Sequence, residues 1–230
     1  MSCRLAAKLE LKMNRVVFSK ELQKAAVHLT RSDKRLADVI KVSGPCTIKP
    51  HSDHYGELVG SIVGQQLSAK AAGAIWRRVL DLFGGKMPTP EALVKIDGQK
   101  LRDAGLSWAK VKYVKDLAEH VLDGRLDLAH IATMPNDQLI EQLTAVKGIG
   151  EWSAHMFMLF GLGRLDILPV GDLGIRKAIQ NLYKLPELPL REQIITIASR
   201  NKWHPYESVA AWYLWQSLDN SPAKSTRHSA

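Results

Sequence analysis

Apolar residues recur at helical spacing almost from end to end of this chain, and nowhere does a strand-like alternation persist. That regularity leaves an all-α protein as the architecture within reach. With 230 residues, 46% of them hydrophobic, there is material for one good core or two small ones. Residues 19–42 read as two helices broken near Ser32. Asp53 to Gln66 reads as another, and Ser68 caps a helix running through Trp76 and Leu82 to Gly84. Thr89-Pro90 is a cap followed by proline at the first helical position. Ser107 opens a long helix through Val111, Val114, Leu117 and Val121, which Gly124 stops. Asn136 begins the helix before a Gly-x-Gly turn, and later helices are expected near 151–163, 172–183, 189–200 and 206–218. About ten helices with short connections, and no repeat period, exclude a solenoid. Met1–Arg15 is expected to be an unstructured start, and residues 221–230 a disordered tail.

Lys and Arg number 32 against 23 acidic residues, a net charge of +9 that favours a polyanionic partner. Residues 1–50 hold 11 basic and 4 acidic side chains, so most of the surplus sits there. It reads equally as a solvated helical surface or as a phosphate-facing patch. No apolar run is long enough to span a membrane. The two cysteines, Cys3 and Cys46, cannot build a four-cysteine metal or cluster site and point to a reducing intracellular compartment. That compartment is the nucleus in a eukaryote or the cytoplasm in a bacterium. The basic opening segment also admits a mitochondrial leader, although it lacks a signal-peptide core. The eight histidines form no H-x-x-x-H pair, so no catalytic metal or other catalytic cofactor is implied.

The stretch Leu143-Thr144-Ala145-Val146-Lys147-Gly148-Ile149-Gly150 reads as helix, tight turn, helix. Glycine at 148 and 150 permits positive φ and lets a foreign backbone approach with no Cβ in the way. The turn's amides, with those of the next helix's first turn, make a phosphate site at a positive helix end. Ile149 plugs the gap between the two helices, and Lys147, lying before the turn, faces a backbone rather than acting in catalysis. An ordinary αα-turn is the plain alternative. The full pattern, in a basic all-α chain, favours a DNA-gripping helix-hairpin-helix.

One helix later, Leu168-Pro169-Val170-Gly171-Asp172 places a single carboxylate at the mouth of a helix. Aspartate is a preferred N-cap, and amides pointed at a carboxylate favour its charged form. A charged acid beside an electron-poor sugar stabilises an oxocarbenium-like transition state or orients water. Capping and catalysis are compatible at Asp172, and these residues alone do not choose between them.

Hairpin and acid together resemble the helix-hairpin-helix DNA glycosylase superfamily, and within it the 3-methyladenine DNA glycosylase II, or alkylation-repair, type. The likeness runs from about Ser61 to Leu218 and includes three further blocks. The first is Gly64-Gln65-Gln66-Leu67-Ser68-x-Lys70-Ala71-Ala72. The second joins Ala104-Gly105-Leu106-Ser107-x-x-Lys110 to Tyr113-Val114-x-Asp116-Leu117-Ala118. The third is Trp203-x-Pro205-Tyr206 with Ser208 to Trp215. The resemblance implies two lobes with a DNA cleft between them. Residues 1–55 and 165–220 would form one discontinuous lobe, and 56–164 the central lobe carrying the hairpin. It also implies that Asp172 is the catalytic aspartate. The main-chain carbonyls of Thr144, Val146 and Ile149 would hold a monovalent Na⁺ or K⁺ ion. Gln66 or Leu67 would fill the gap left by a flipped nucleotide. Ser68, where some relatives have a bulkier His, would face the minor groove.

Position 152 refines this. Bifunctional members place a nucleophilic lysine two residues beyond the second hairpin glycine, and this chain has Trp152 there. An indole forms no imine, so the chain is expected to cleave only the N-glycosidic bond. Trp152 is either a π-face for an extruded cationic alkylpurine or a core aromatic of its helix. Trp203, Trp212, Tyr213 and Trp215 are expected to be core. The expectation is a monomeric, monofunctional glycosylase acting on damaged double-stranded DNA, with no membrane partner. The alternatives are a non-catalytic binder of abasic or distorted DNA on the same fold, and an accessory module of a larger repair complex.

Overall fold

A computed structural model describes the backbone of residues 2–219 and the side chains from residue 16 onward. The expected tail, 221–230, lies outside the described residues. Within them the protein is all-α, with twelve α-helices. They are α1 (Ser2–Ser32), α2 (Lys34–Ser43), α3 (His54–Gly64), α4 (Ala69–Asp81), α5 (Pro90–Lys95) and α6 (Gly98–Asp103). α7 (Trp108–Leu122), α8 (Asn136–Ala145), α9 (Glu151–Met156), α10 (Leu173–Tyr183), α11 (Arg191–Arg200) and α12 (Glu207–Asp219) follow. No helix among the described residues is long and apolar enough to cross a membrane.

The helices begin where side chains can cap them. Asp53, Ser68, Thr89, Ser107 and Asp172 each accept a backbone amide from the first turn they precede. Each such cap contributes about 1 kcal/mol. Two features depart from the sequence reading. α1 starts at Ser2, so the opening residues are helical rather than unstructured. No glycine or proline occurs before Gly44, and leucine and alanine are good helix formers. The helix expected over 151–163 widens after Met156 into a π-helical stretch, Phe157–Gly161. A Cβ on Gly161 would lie 2.7 Å from Phe157 Cδ2, so the wider turn needs glycine there.

The chain divides into two compact units. One takes the chain up to Ile48 and again from Arg164, and the other is Lys49–Gly163. The breaks expected at 55/56 and 164/165 therefore stand beside breaks after Ile48 and Gly163. In the first unit α12 packs on α1, α2 and α10. The buried carboxylate of Asp33 sits at the α1–α2 break. It accepts the amides of Arg35 and Leu36, the Trp203 indole N–H at 2.9 Å and the Tyr183 hydroxyl. A buried acid so fully bonded costs little to desolvate and fixes where α1 ends. Lys20, Lys24, Arg31 and Lys202 line one groove of this unit.

In the second unit α7 is central, packing on α3, α5 and α6. It buries Val111, Val114, Leu117 and Ala118. Each larger one contributes about 1.5–3 kcal/mol by leaving water. The same helix also buries two polar side chains, Asp116 and His120, and these lead to the site.

Candidate functional site

The glycine hairpin of the second unit is braced from α7. Asp116 accepts the Lys147 main-chain amide on Oδ2 at 2.8 Å and the Lys147 ammonium on Oδ1 at 2.6 Å. Burial opposes ionisation of Asp116, but both Lys147 bonds outweigh it and hold the carboxyl below its usual range. The same carboxylate raises the Lys147 ammonium. Beside it, Arg125 can only donate, so His120 Nε2 accepts, and Nδ1–H donates to the Asp116 carbonyl. Lys147, assigned from sequence to a DNA backbone, is first of all the hairpin's tether.

The two glycines prove unlike. Gly148 has φ +84°, and a Cβ on it would lie 2.2 Å from Tyr113 Cδ2, so no other residue fits. Gly150 has φ −92° and ψ 173° as the N-cap of α9, which any residue adopts, and nothing lies within 4 Å of a Cβ there. The expectation of positive φ thus holds at Gly148 and fails at Gly150. The amides of Lys147 and Ile149 are spent on Asp116 and on the Val146 carbonyl. Among the described residues, the exposed amides of Gly148 and Gly150 meet no acceptor. Ile149 is buried between the helices, as a plug should be.

A second loop is tied to the hairpin. Gln65 donates from Nε2 to the Gly148 carbonyl at 2.8 Å. Lys110 donates to the carbonyls of Val63 and Gln65, both at 2.7 Å. An ammonium on the last carbonyls of α3 satisfies the end of that helix, and burial pulls its pKa down. Gln66 then takes φ +58°, a left-handed conformation costing a non-glycine residue about 1–2 kcal/mol. Its side chain and that of Leu67 are exposed. Ser68 is also exposed and caps α4 through the Ala71 amide at 3.3 Å.

Gln66 and Leu67 stand at the rim of a cavity of about 680 Å³, whose walls include Trp152, Phe157, Phe160, Ser61 and Glu57. Trp152 is 52% exposed, so its reading as a core aromatic is corrected: it lines the cavity. The helix 151–163 could not bury it because α9 presents Ala154 and His155 to the interior instead.

In the first unit, Asp172 caps α10. Its Oδ1 accepts the Ile175 amide at 2.8 Å and the Trp215 indole N–H at 2.9 Å, and the residue is 9% exposed. Trp215, expected in the core, is half-buried with its polar edge on this carboxylate. Trp212 is half-buried too, while Trp203 and Tyr213 are fully buried as expected. Gly174 makes the indole contact possible. A Cβ there would lie 3.0 Å from Asp172 Oδ1 and 3.1 Å from Trp215 Cδ1.

The sequence reading thus missed Asp116, Lys110, Gln65 and Trp215 as functional supports. All four lay in the family-like motif blocks, and a carboxylate on the apolar face of α7 was the available signal for Asp116. Among the described residues no group of His, Cys, Asp and Glu could hold a metal ion.

Residues 59–203 match the HhH-GPD superfamily of base excision DNA repair proteins. The chain belongs to that family. Among HhH-GPD relatives, DNA-3-methyladenine glycosylase 1 of Schizosaccharomyces pombe is 34% identical, over 85% of this chain and 87% of its own. The crystal structure of a Bacillus halodurans DNA-3-methyladenine glycosidase superposes with a TM-score of 0.78 at 40% identity, covering 85% of this chain and 89% of that one. The S. pombe 3-methyladenine DNA glycosylase in complex with abasic DNA gives 0.72 at 33% identity, covering 84% and 95%.

Proposed function

We propose that this HhH-GPD protein is a monofunctional DNA glycosylase that removes alkylated bases from damaged duplex DNA and so initiates base excision repair. The observation that carries the reading is the Asp172 carboxylate, oriented through one oxygen by the Ile175 amide and the Trp215 indole. The names of relatives at 30% identity or more, DNA-3-methyladenine glycosylases and an alkylbase DNA glycosidase-like protein among them, support the substrate class. The amides of Gly148 and Gly150 and the positive end of α9 take a DNA phosphate. Gln66 or Leu67 occupies the gap in the duplex, and the extruded base enters the cavity beside Trp152. A purine alkylated at N3 or N7 is a cation, which the indole face attracts by about 2 kcal/mol once water is excluded. It is already a good leaving group, so the protein needs no strong general acid. Asp172 stabilises the developing sugar cation and helps water attack.

The strand stays intact because Trp152 stands where a bifunctional relative carries its lysine. Three carbonyls suit the cation implied at the hairpin. Those of Thr144 and Ile149 receive no hydrogen bond from the described residues, and that of Val146 receives one, from Ile149, which leaves it a lone pair. Oxygen donors of this kind fit a hard monovalent ion, whose charge would help the turn hold a phosphate. No catalytic cofactor is needed, and the chain acts as a monomer. The test is release of free methylated base from alkylated duplex DNA. The strand should stay unbroken, and borohydride should trap no protein–DNA adduct. Intact methylated DNA would refute the excision step, and a trapped adduct the monofunctional one.

A further inference from the structure

Glu57, Ser61 and Gly64 fall at i, i+4 and i+7 of α3, one stripe that forms a wall of the 680 Å³ cavity. Opposite in character are Trp152, Phe157 and Phe160. In a chain of net charge +9, no Lys, Arg or His lines this cavity among the described residues, and Glu57 is its one charged side chain. The carboxylate is held in place. His51 Nδ1 lies 3.0 Å from Glu57 Oε1, and the His51 amide donates to the Gly161 carbonyl at 2.9 Å, at the end of the π-helical stretch that carries both phenylalanines. The glutamate is half-exposed at 42%.

We infer that Glu57 is a specificity-determining residue: its carboxylate makes the cavity prefer a positively charged purine over a neutral one of the same shape. This rests on the reading above that the cavity receives the extruded base. Aromatic faces attract a cation but also stack any neutral base. The carboxylate distinguishes by charge alone, because a neutral base gains nothing from it by Coulomb attraction. Glutamine at 57 keeps the shape and a hydrogen-bonding oxygen and removes only the charge.

The experiment compares the full-length protein with Glu57→Gln in two assays. The first is single-turnover excision of 7-methylguanine from duplex DNA, with affinity for an abasic duplex measured in parallel. The second is equilibrium binding of the 7,9-dimethylguaninium cation and of neutral 9-methylguanine, read by tryptophan fluorescence. Glu57→Gln is expected to slow excision about 3- to 10-fold, equivalent to about 0.7–1.4 kcal/mol. It should weaken the dimethylguaninium cation by the same factor, and leave 9-methylguanine and abasic DNA unchanged. Equal losses for cation and neutral base, or no loss for either, overturn the inference. If the unmutated protein releases no methylguanine, the excision reading fails separately, and the two small probes still decide the role of Glu57.

Discussion

Gly148 and Gly150 lie two residues apart in one turn, and alanine at each is expected to break a different property. At Gly148 a side chain must adopt φ +84°, which costs about 1–2 kcal/mol. Its Cβ would also stand 2.2 Å from the Tyr113 ring, and such overpacking costs about 1–3 kcal/mol. The total, about 2–5 kcal/mol, is a large part of the ~5–15 kcal/mol that keeps a domain folded. At Gly150 the backbone is unstrained and the space is open, so alanine loses only glycine's advantage as an N-cap, about 0.5–1 kcal/mol. That Cβ would nevertheless stand where a phosphate must approach the amides. Affinity of Gly150→Ala for an abasic duplex should drop at least ~10-fold, about 1.4 kcal/mol. Urea unfolding measures the first effect and fluorescence anisotropy the second. If Gly150→Ala binds like the unmutated protein, the hairpin is not the phosphate clamp. If the two variants are equally destabilised, the Tyr113 packing argument is wrong.

Trp215→Phe removes the indole N–H from Asp172 and should slow excision about 10-fold or more, since a hydrogen bond to a charged group contributes about 1.5–3 kcal/mol. Abasic-DNA affinity should not change, and an unchanged single-turnover rate would remove Trp215 from the site. Asp116→Asn should cost about 1–3 kcal/mol in urea unfolding at neutral pH. Because the folded pKa of Asp116 is depressed below its ordinary value of 3.8, the contribution is full above that value and is lost as pH falls through the folded one. The variant's acid unfolding should therefore be flatter at low pH than the parent's. Gln66→Gly relieves the left-handed strain at φ +58° and should raise stability by about 1 kcal/mol while slowing excision. A rise in both, read by thermal unfolding and single-turnover kinetics, would count against a DNA-facing role.

Local chemistry was the legible part of this chain. Asp53, Ser68, Thr89, Ser107 and Asp172 announce helix starts because a cap bonds within three residues of itself. α6 escaped notice since its six residues begin with glycine and give too few apolar positions to show a period. The π-helical stretch escaped because its wider turn departs from 3.6-residue spacing. The site's supports were hidden for a different reason. Gln65 reaches Gly148 across 83 positions, Trp215 reaches Asp172 across 43, and Asp116 reaches Lys147 across 31. Periodicity carries no information about such pairings. Trp152 shows the same limit from the other side, because helical spacing could not say whether its face of α9 was covered.

The account turns on the charge of Asp172. Asp172→Asn keeps an oxygen for the Ile175 amide and the Trp215 indole, so the variant should fold and should bind an abasic duplex within about twofold of the parent. Single-turnover release of 7-methylguanine from duplex DNA should fall at least ~100-fold, because the sugar cation loses its counter-charge. Release that persists within about tenfold of the parent rate, with DNA binding intact, would contradict the assignment of Asp172 as the catalytic carboxylate.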